Sequence, residues 1–377
     1  MITRSTILEL IEQAQNPSVS IFLPTHERGE EVQQDPIRLK NQLKEAEQQL
    51  VSLDMGERDI KELLKPARDL LDRPLFWQHG DRGLAIFLTE SGSRHFRVPL
   101  DVPEQVYAGS RFMVTPLLPM IALDGSFCVL GISQKKIRLL RATRDKVRTI
   151  ALEEAPTSME EFKKYDLEEK SLSSASGRGG QKSMFHGWGD ASVESHYVEN
   201  YLKQVENEVT TQMRQRNDPL VLAGVKEAVA LYRKVNHYSR VMDRALENNP
   251  DPWSDEDLRD RAWKIIREYF LQDMYNDLSR YNDLKGSDRQ SDNLGRIVES
   301  SHYGKVDTLF IAKGEQSWGR FDSGRDVVHR AEGPGDGVYD LINESAIQTL
   351  TQGGDVYALD RGEMPDGASV AAIYRYG

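Results

Sequence analysis

Pro219-Leu220-Val221-Leu222-Ala223-Gly224 sets the fold class, because it is a short apolar run that begins at a proline and closes with a glycine. A run of this length between turn residues is typical of a buried strand. The apolar residues before it recur at the spacing of one helix face, and they are Val198, Leu202, Val205, Val209 and Met213. A long helix followed by a buried strand favours an α/β architecture.

Strands are also predicted before this helix. Two strands are expected at Ser126–Ile132 and Lys136–Ala142, joined by a short polar turn at Ser133–Lys135. Val147–Leu152 continues the meander. Together with the helix and the buried run, these strands define a middle segment, residues 123–252.

The segment before it, residues 1–122, is predicted to be a separate α/β domain. Strands are expected at Ser18–Leu23, at Gly83–Thr89, around Phe96–Val98 and at Phe112–Val114. Asp35 followed by Pro36 is typical of an N-cap with proline at the first helical position, so a helix is expected to begin there.

The last segment, residues 253–377, is predicted to begin after Asn249–Pro252, because two prolines there prevent a continuous helix. Ser254 is expected to cap the next helix. A second helix is predicted over Val338–Leu350. The strands expected in this segment are Val306–Ala312, Asp355–Leu359 and Ser369–Tyr374.

Composition limits the function classes. A chain of 377 residues exceeds one typical core, and its net charge of −11 repels polyanions at long range, so RNA binding requires a locally basic surface. No apolar run of about 18 residues is present, and the N-terminus lacks the features of a signal peptide. Cys128 is the only cysteine, and the histidines show no metal-ligand spacing. We therefore expect a cytoplasmic protein without metal, cofactor or membrane partner.

A long polar stretch from Glu153 to Ala191 interrupts the middle segment and contains Ser176-Gly177-Arg178-Gly179-Gly180-Gln181-Lys182-Ser183. Loops of this length inside a domain are usually functional or disordered. Taken alone, the Gly-Gly-Gln tripeptide favours a flexible surface loop without a function.

The order of motifs gives the tripeptide a context. Gly-Arg-Gly-Gly-Gln follows a strand pair and precedes a long helix with His196-Tyr197-Val198 and then Leu220–Gly224. In this order the chain resembles the bacterial branch of the archaeo-eukaryotic class-one release factors, a superfamily that includes Pelota. Val19–Pro24 and Gly83–Phe87 resemble its N-terminal domain, and Ala371–Tyr376 resembles the end of its C-terminal domain.

The resemblance implies three domains: an α/β N-terminal domain, an RNase H-like middle domain and an α/β/α C-terminal domain that resembles kink-turn-binding ribosomal proteins. It also implies a catalytic role for Gly179, Gly180 and Gln181 in hydrolysing the peptidyl-tRNA ester on the ribosome. Glycines would let the backbone adopt dihedrals closed to other residues. The N–H of Gln181 would then donate to the oxyanion or to the leaving hydroxyl.

Basic residues supply the candidate RNA contacts. Arg178 and Lys182 flank the tripeptide, and Lys136, Arg138 and Arg141 lie in the predicted meander with Lys135, Arg144, Lys146 and Arg148. They are suited to phosphate contact. Alternatively, the strand residues simply protect a polar sheet edge against aggregation.

The stop-codon elements of the family are not recognisable, since only Pro36-Ile37-Arg38-Leu39 stands near the expected position. Codon-independent release or rescue is therefore the leading hypothesis, with ribosomal RNA and peptidyl-tRNA as partners. The resemblance also implies a translational GTPase partner. The alternatives are a non-catalytic ribosome-binding factor for hibernation or splitting, and an unrelated enzyme or scaffold that retains only the fold.

Overall fold

The structure is a computed structural model that describes residues 2–26, 28–78, 80–164, 191–214 and 216–377, with the backbone alone for 191–196. It has the mixed α/β fold expected from the sequence. By contacts the chain forms two compact units: Met1–Ala122 together with Asp273–Gly377, and Leu123–Gln272, called here the middle unit. The division at 122 and 252 into three domains stays a prediction.

The N-terminal part of the first unit contains an antiparallel sheet in the order β3-β2-β1-β4. Its strands are β1 (Ser18–Pro24), β2 (Gly83–Thr89), β3 (Gly92–Val98) and β4 (Gln105–Gly109). Its helices are α1 (Arg4–Gln13), α2 (Asp35–Ser52), α3 (Glu57–Arg68) and the short α4 (Pro74–Trp77). The two central strands are almost wholly apolar because both of their faces are covered.

The C-terminal part of this unit is built on a sheet in the order β14-β10-β15-β9, in which β10 and β14 run parallel. A smaller sheet has the order β12-β11-β13. The strands are β9 (Gln290–Ser291), β10 (Val306–Ala312), β11 (Trp318–Asp322), β12 (Val327–Arg330), β13 (Tyr339–Asp340), β14 (Asp355–Leu359) and β15 (Val370–Tyr374). The helices are α9 (Gln272–Asp283), α10 (Leu294–His302) and α11 (Leu341–Thr351).

The middle unit has a four-stranded sheet in the order β7-β6-β5-β8, in which only the β5–β8 pair is parallel. Its strands are β5 (Phe127–Ile132), β6 (Ile137–Ala142), β7 (Val147–Ile150) and β8 (Leu220–Gly224). Its helices are α5, whose described residues are 159–164, then α6 (Ala191–Arg214), α7 (Lys226–Val235) and α8 (Asp255–Phe270). Helices α6 and α7 cover one face of the sheet.

Helix α8 covers the other face. Its residues Leu258, Ala262 and Ile266 are buried against Phe127 and Val221 of the sheet. Ser254 caps this helix as expected, and Asp257 completes a capping box. By packing, the first helix after the double proline therefore belongs to the middle unit.

Two local expectations are wrong. Asp35 is not an N-cap but lies inside α2, and its buried carboxylate accepts from the backbone N–H of His26 at 2.9 Å. Phe112–Val114 is not a strand. The Asn343 side chain accepts from the N–H of Val114 at 2.8 Å and donates to the carbonyl of Phe112 at 3.0 Å, so side-chain bonds replace a strand ladder there.

Candidate RNA-facing site in the middle unit

The predicted loop residues Arg178, Gly179, Gly180, Gln181 and Lys182 lie outside the described residues. The structure describes the two flanks of that segment, which are residues 157–164 on one side and α6 on the other. The geometry of these flanks shows where the chain leaves and rejoins the middle core.

The first flank is attached to the end of β5 and the start of β6. The N–H of Ile137 donates to the carbonyl of Thr157 at 2.7 Å, and the N–H of Met159 donates to the carbonyl of Gln134 at 2.9 Å. Phe162 then buries its ring in the cluster under α6. This flank is therefore fixed by backbone bonds and by apolar burial.

The second flank is α6, whose apolar face was expected from the sequence. Leu202, Val205, Val209 and Met213 are all buried against the sheet. Tyr201 is 1% exposed, and its ring centroid lies 5.7 Å from that of Phe162. Both ends of the intervening segment are therefore tethered to the same apolar cluster.

A buried carboxylate holds α6 to the chain that follows α7. Glu206 is 2% exposed and accepts from the hydroxyl of Thr210 at 2.6 Å and from the backbone N–H of His237 at 2.8 Å. The His237 ring lies 3.1 Å from the same carboxylate. These bonds satisfy a buried acid and fix the helix orientation, so Glu206 has a structural role.

Lys136 is exposed and precedes β6 instead of lying within it, because the strand begins at Ile137. Its backbone N–H donates to the hydroxyl of Ser133 at 2.9 Å, which closes the turn between the strands. Its ammonium group has no partner among the described residues. Of the three predicted RNA contacts in this meander, Lys136 is the one that remains available.

Arg138 is engaged by the protein itself. Its side chain is 10% exposed and pairs with Asp255 at 2.8 Å. The same guanidinium donates to the carbonyls of Trp253 at 2.9 Å and Pro250 at 2.7 Å. A guanidinium with three protein acceptors is committed to attaching the start of α8 to the sheet.

Arg141 is engaged in part. Its Nε donates to Asp218 at 2.7 Å and its Nη2 donates to Ser126 at 2.8 Å, while 32% of the side chain is exposed. Asp218 is buried and also accepts from Ser126 at 2.6 Å. This network joins the starts of β5 and β8 to β6, and it neutralises much of the charge predicted to face RNA.

Three further arginines lie at this end of the sheet. Arg148 stands opposite Arg141 in the β6–β7 register, so both side chains project from one face. Arg216 donates to the carbonyl of Gln212, and Arg240 donates to the carbonyl of Asn217 at 3.1 Å. None of the three pairs with a carboxylate within the described ranges. The sequence indicated Arg148, but Arg216 and Arg240 are too distant in the chain to be grouped with it.

Cys128 is buried close to these arginines and to Asp218. Burial and, after it, the charge of Asp218 raise the pKa of its thiol to about 12, although the positive charges of Arg141, Arg216 and Arg148 oppose the rise. The thiol is therefore protonated and buried, so it is not a nucleophile. In the parts of the chain that the structure describes, no group of side chains is arranged to hold a metal ion.

The middle unit thus offers two different ends. At one end, the flanks of residues 165–190 are anchored to an apolar cluster. At the other, Arg148, Arg216 and Arg240 lie close in the fold to a satisfied Arg141–Asp218 pair. Such a surface can bind phosphate groups but has no described catalytic group.

No described helix is apolar over enough residues to span a bilayer.

One protein-family model matches the sequence of the middle unit. The model for bacterial archaeo-eukaryotic release factor family 7 matches residues 127–268, which lie almost from end to end of the middle unit. No curated protein matches the sequence.

Several solved structures are similar at low identity. The archaeal translation termination factor aRF1 is 13% identical, with 100% of this chain and 99% of that chain covered at a TM-score of 0.24. Archaeoglobus fulgidus Pelota is 12% identical, with 78% and 80% covered at a TM-score of 0.32. A ribosome-bound archaeal Pelota with ABCE1 is 10% identical, with 78% of each chain covered at a TM-score of 0.35.

Proposed function

We propose that this chain, whose residues 127–268 match the model for bacterial archaeo-eukaryotic release factor family 7, is a cytoplasmic, ribosome-associated release or rescue factor. The observation that carries the proposal is the position of Gly179-Gly180-Gln181 inside the matched range. The proposed partners are ribosomal RNA and peptidyl-tRNA, with a translational GTPase as a further one.

The proposed chemistry is codon-independent hydrolysis of the peptidyl-tRNA ester. The ester carbonyl becomes negatively charged as water attacks, and a fixed N–H donor stabilises that charge without titrating. The main-chain amide of Gln181 has this role, the glycines permit its backbone conformation, and the side-chain amide lines the water pocket. Arg178 and Lys182 contact phosphates beside the ester.

The two described flanks support this role for the loop. Because Phe162 and Tyr201 are buried side by side, the ends of the segment are held together by the core. A tether of this kind lowers the entropy that a long connection loses when it is positioned for reaction. The predicted RNase H-like middle domain and kink-turn-type C-terminal domain remain part of the proposal.

The test is peptide release from purified ribosomes stalled with labelled peptidyl-tRNA. Wild type is expected to release peptide, Gln181→Ala to retain part of the activity because its main-chain amide remains, and Gly180→Ala to lose more because its backbone freedom is lost. Lys226→Ala serves as a surface control, since Lys226 is exposed, lies outside the loop and is not among the predicted RNA contacts. Background release from both wild type and Gly180→Ala would exclude catalysis.

Ribosome pelleting at low salt separates the remaining hypotheses. Co-sedimentation with vacant ribosomes without peptide release would select a non-catalytic hibernation or splitting factor. Absence of the wild-type protein from the pellet would exclude both ribosomal roles.

A further inference from the structure

A second cationic surface lies on the N-terminal sheet, far in the sequence from the predicted loop. It consists of Arg73 and Phe76, next to or within the short helix α4, and of His95 and Arg97 on β3. Strand β3 is an edge of its sheet, so the outward side of these residues is not covered by another strand. We name these four residues the β3 patch.

Arg97 is held in place by a neighbouring ring. Its guanidinium carbon lies 4.7 Å from the centroid of Phe76, and its Nη2 donates to the carbonyl of Phe76 at 2.6 Å. The ring is itself fixed edge-on against Trp77 at 5.1 Å and His95 at 5.3 Å. Arg97 is nevertheless exposed, and its Nε and Nη1 have no partner among the described residues.

The two charges that shift the pKa of His95 are both positive. The pKa of His95 is lowered by partial burial of its ring, and then by the positive charges of Arg97 and Arg73. Neither arginine forms an ion pair with a carboxylate in the described part of the chain. Although the protein has a net charge of −11, these two guanidinium groups beside an imidazole form a locally cationic surface.

The planar side chains and unpaired cations of the β3 patch favour a ligand that has both planar rings and negative charge. A guanidinium already stacked on a ring offers its other face to a planar base, and its free N–H donors to a phosphate. Bases are accessible for such stacking in single strands but not inside a duplex. Leu75, between Arg73 and Phe76, is 73% exposed and adds an apolar contact of the kind that bases accept.

From this geometry we infer that the β3 patch binds single-stranded RNA, with Arg97 stacking on a base and Arg73 contacting the adjacent phosphate. The alternative is a purely structural role, in which Arg97 only covers Phe76 and so closes the core around Trp77. The two readings differ in what removal of Arg97 does, since cover affects stability and binding affects affinity. The inference is independent of peptide release and needs no ribosome.

The chain provides a matched control on the same strand. Arg94 also lies near a phenylalanine, with its guanidinium carbon 5.2 Å from the Phe96 centroid, but it projects from the opposite face and pairs with Glu9 at 3.1 Å. Arg94→Gln and Arg97→Gln therefore remove the same charge and the same type of ring contact. Only Arg97→Gln removes an unpaired cation from the patch.

The experiment measures fluorescence anisotropy of a labelled, unstructured single-stranded RNA titrated with full-length protein at low salt. Arg97→Gln is expected to weaken binding about tenfold, in line with the loss of one stacked base. Arg73→Gln should make the dependence of log affinity on log salt shallower by about 0.7, because it removes one phosphate contact. Arg94→Gln should bind like wild type.

Equal losses from Arg94→Gln and Arg97→Gln, or no binding by wild type, would overturn the inference. A polyglutamate peptide that displaces the RNA at equal charge would assign the surface to an acidic protein instead. Thermal unfolding of each variant checks the fold. If Arg97→Gln unfolds, Arg73→Gln replaces it, because the Arg73 side chain makes no described bond to the core.

Discussion

The arginines of the middle sheet and those of β3 show how differently the same residue type is used on strands. Arg138 and Arg141 each hold a carboxylate and at least one further acceptor within the protein. Arg97 holds one ring and one carbonyl. Because a guanidinium paired with a carboxylate has lost most of its attraction for a phosphate, strand position alone does not reveal which arginines are available.

The largest expected effect tests the most engaged arginine. Arg138→Met should lower the free energy of unfolding of the middle unit by about 3 kcal/mol, because it leaves Asp255 and two carbonyls without their donor. Urea denaturation followed by circular dichroism measures the change. Lys136→Met is the control and should differ from wild type by less than about 0.5 kcal/mol.

An equal and small effect of Arg138→Met and Lys136→Met would show that Arg138 is not committed to α8. The original prediction that both residues face RNA would then regain support.

A smaller effect is expected at Arg141. Arg141→Gln should destabilise the middle unit by about 1.5 kcal/mol, because it leaves Asp218 buried while its charge loses the guanidinium but keeps the hydroxyl of Ser126. The expected loss of stability is smaller than for Arg138 because 32% of the Arg141 side chain is exposed. Double-mutant analysis with Asp218→Asn measures the coupling, and additive effects would mean that the pair contributes nothing.

These differences mark the limit of what the sequence predicts. Strands β2, β10 and β14 have the predicted bounds, because each is a continuous apolar run between turn residues. The cap at Ser254 was also readable, since its partner Asp257 lies three residues away. By contrast, β11 to β13 were missed, because Gly319 and charged residues interrupt the alternation in β11 and the other two strands have only four and two residues.

The commitment of Arg138 could not be predicted for a different reason. Its partner Asp255 lies 117 residues away and on a helix that the sequence assigned to another domain. Only the packing of α8 on the middle sheet brings the two together. Local pattern therefore located the basic residues correctly but could not decide which of them the fold itself neutralises.

A third prediction concerns the stability of β3. Arg97→Gln and Arg94→Gln should each lower the free energy of unfolding by only about 0.5 to 1 kcal/mol, the range for a cation–π contact at an exposed site. Thermal denaturation of both variants measures this. A loss at Arg97 as large as that at Arg138 would place it among the structural arginines and remove the contrast between the two regions.

The smallest effect is a shift in one titration. His95 has a lowered pKa because its ring is partly buried and because Arg97 and Arg73 are positive, so its neutral form is favoured in the folded protein. Arg97→Gln removes one of these charges and should raise the pKa of His95 towards its usual value, as measured by NMR of the imidazole protons. Arg94→Gln should leave it unchanged.

The same shift has a consequence for stability. A histidine that binds protons more weakly when folded lowers the free energy of unfolding as the pH falls through the pKa of the unfolded chain, near 6.5. His95→Asn should therefore be less sensitive than wild type to acidification from neutral pH to about 5. Bound RNA should instead raise the pKa of His95, because a phosphate beside the imidazole favours its charged form. If single-stranded RNA fails to raise the pKa of His95, the phosphate does not lie beside this ring, and Arg97 alone would have to account for binding by the patch.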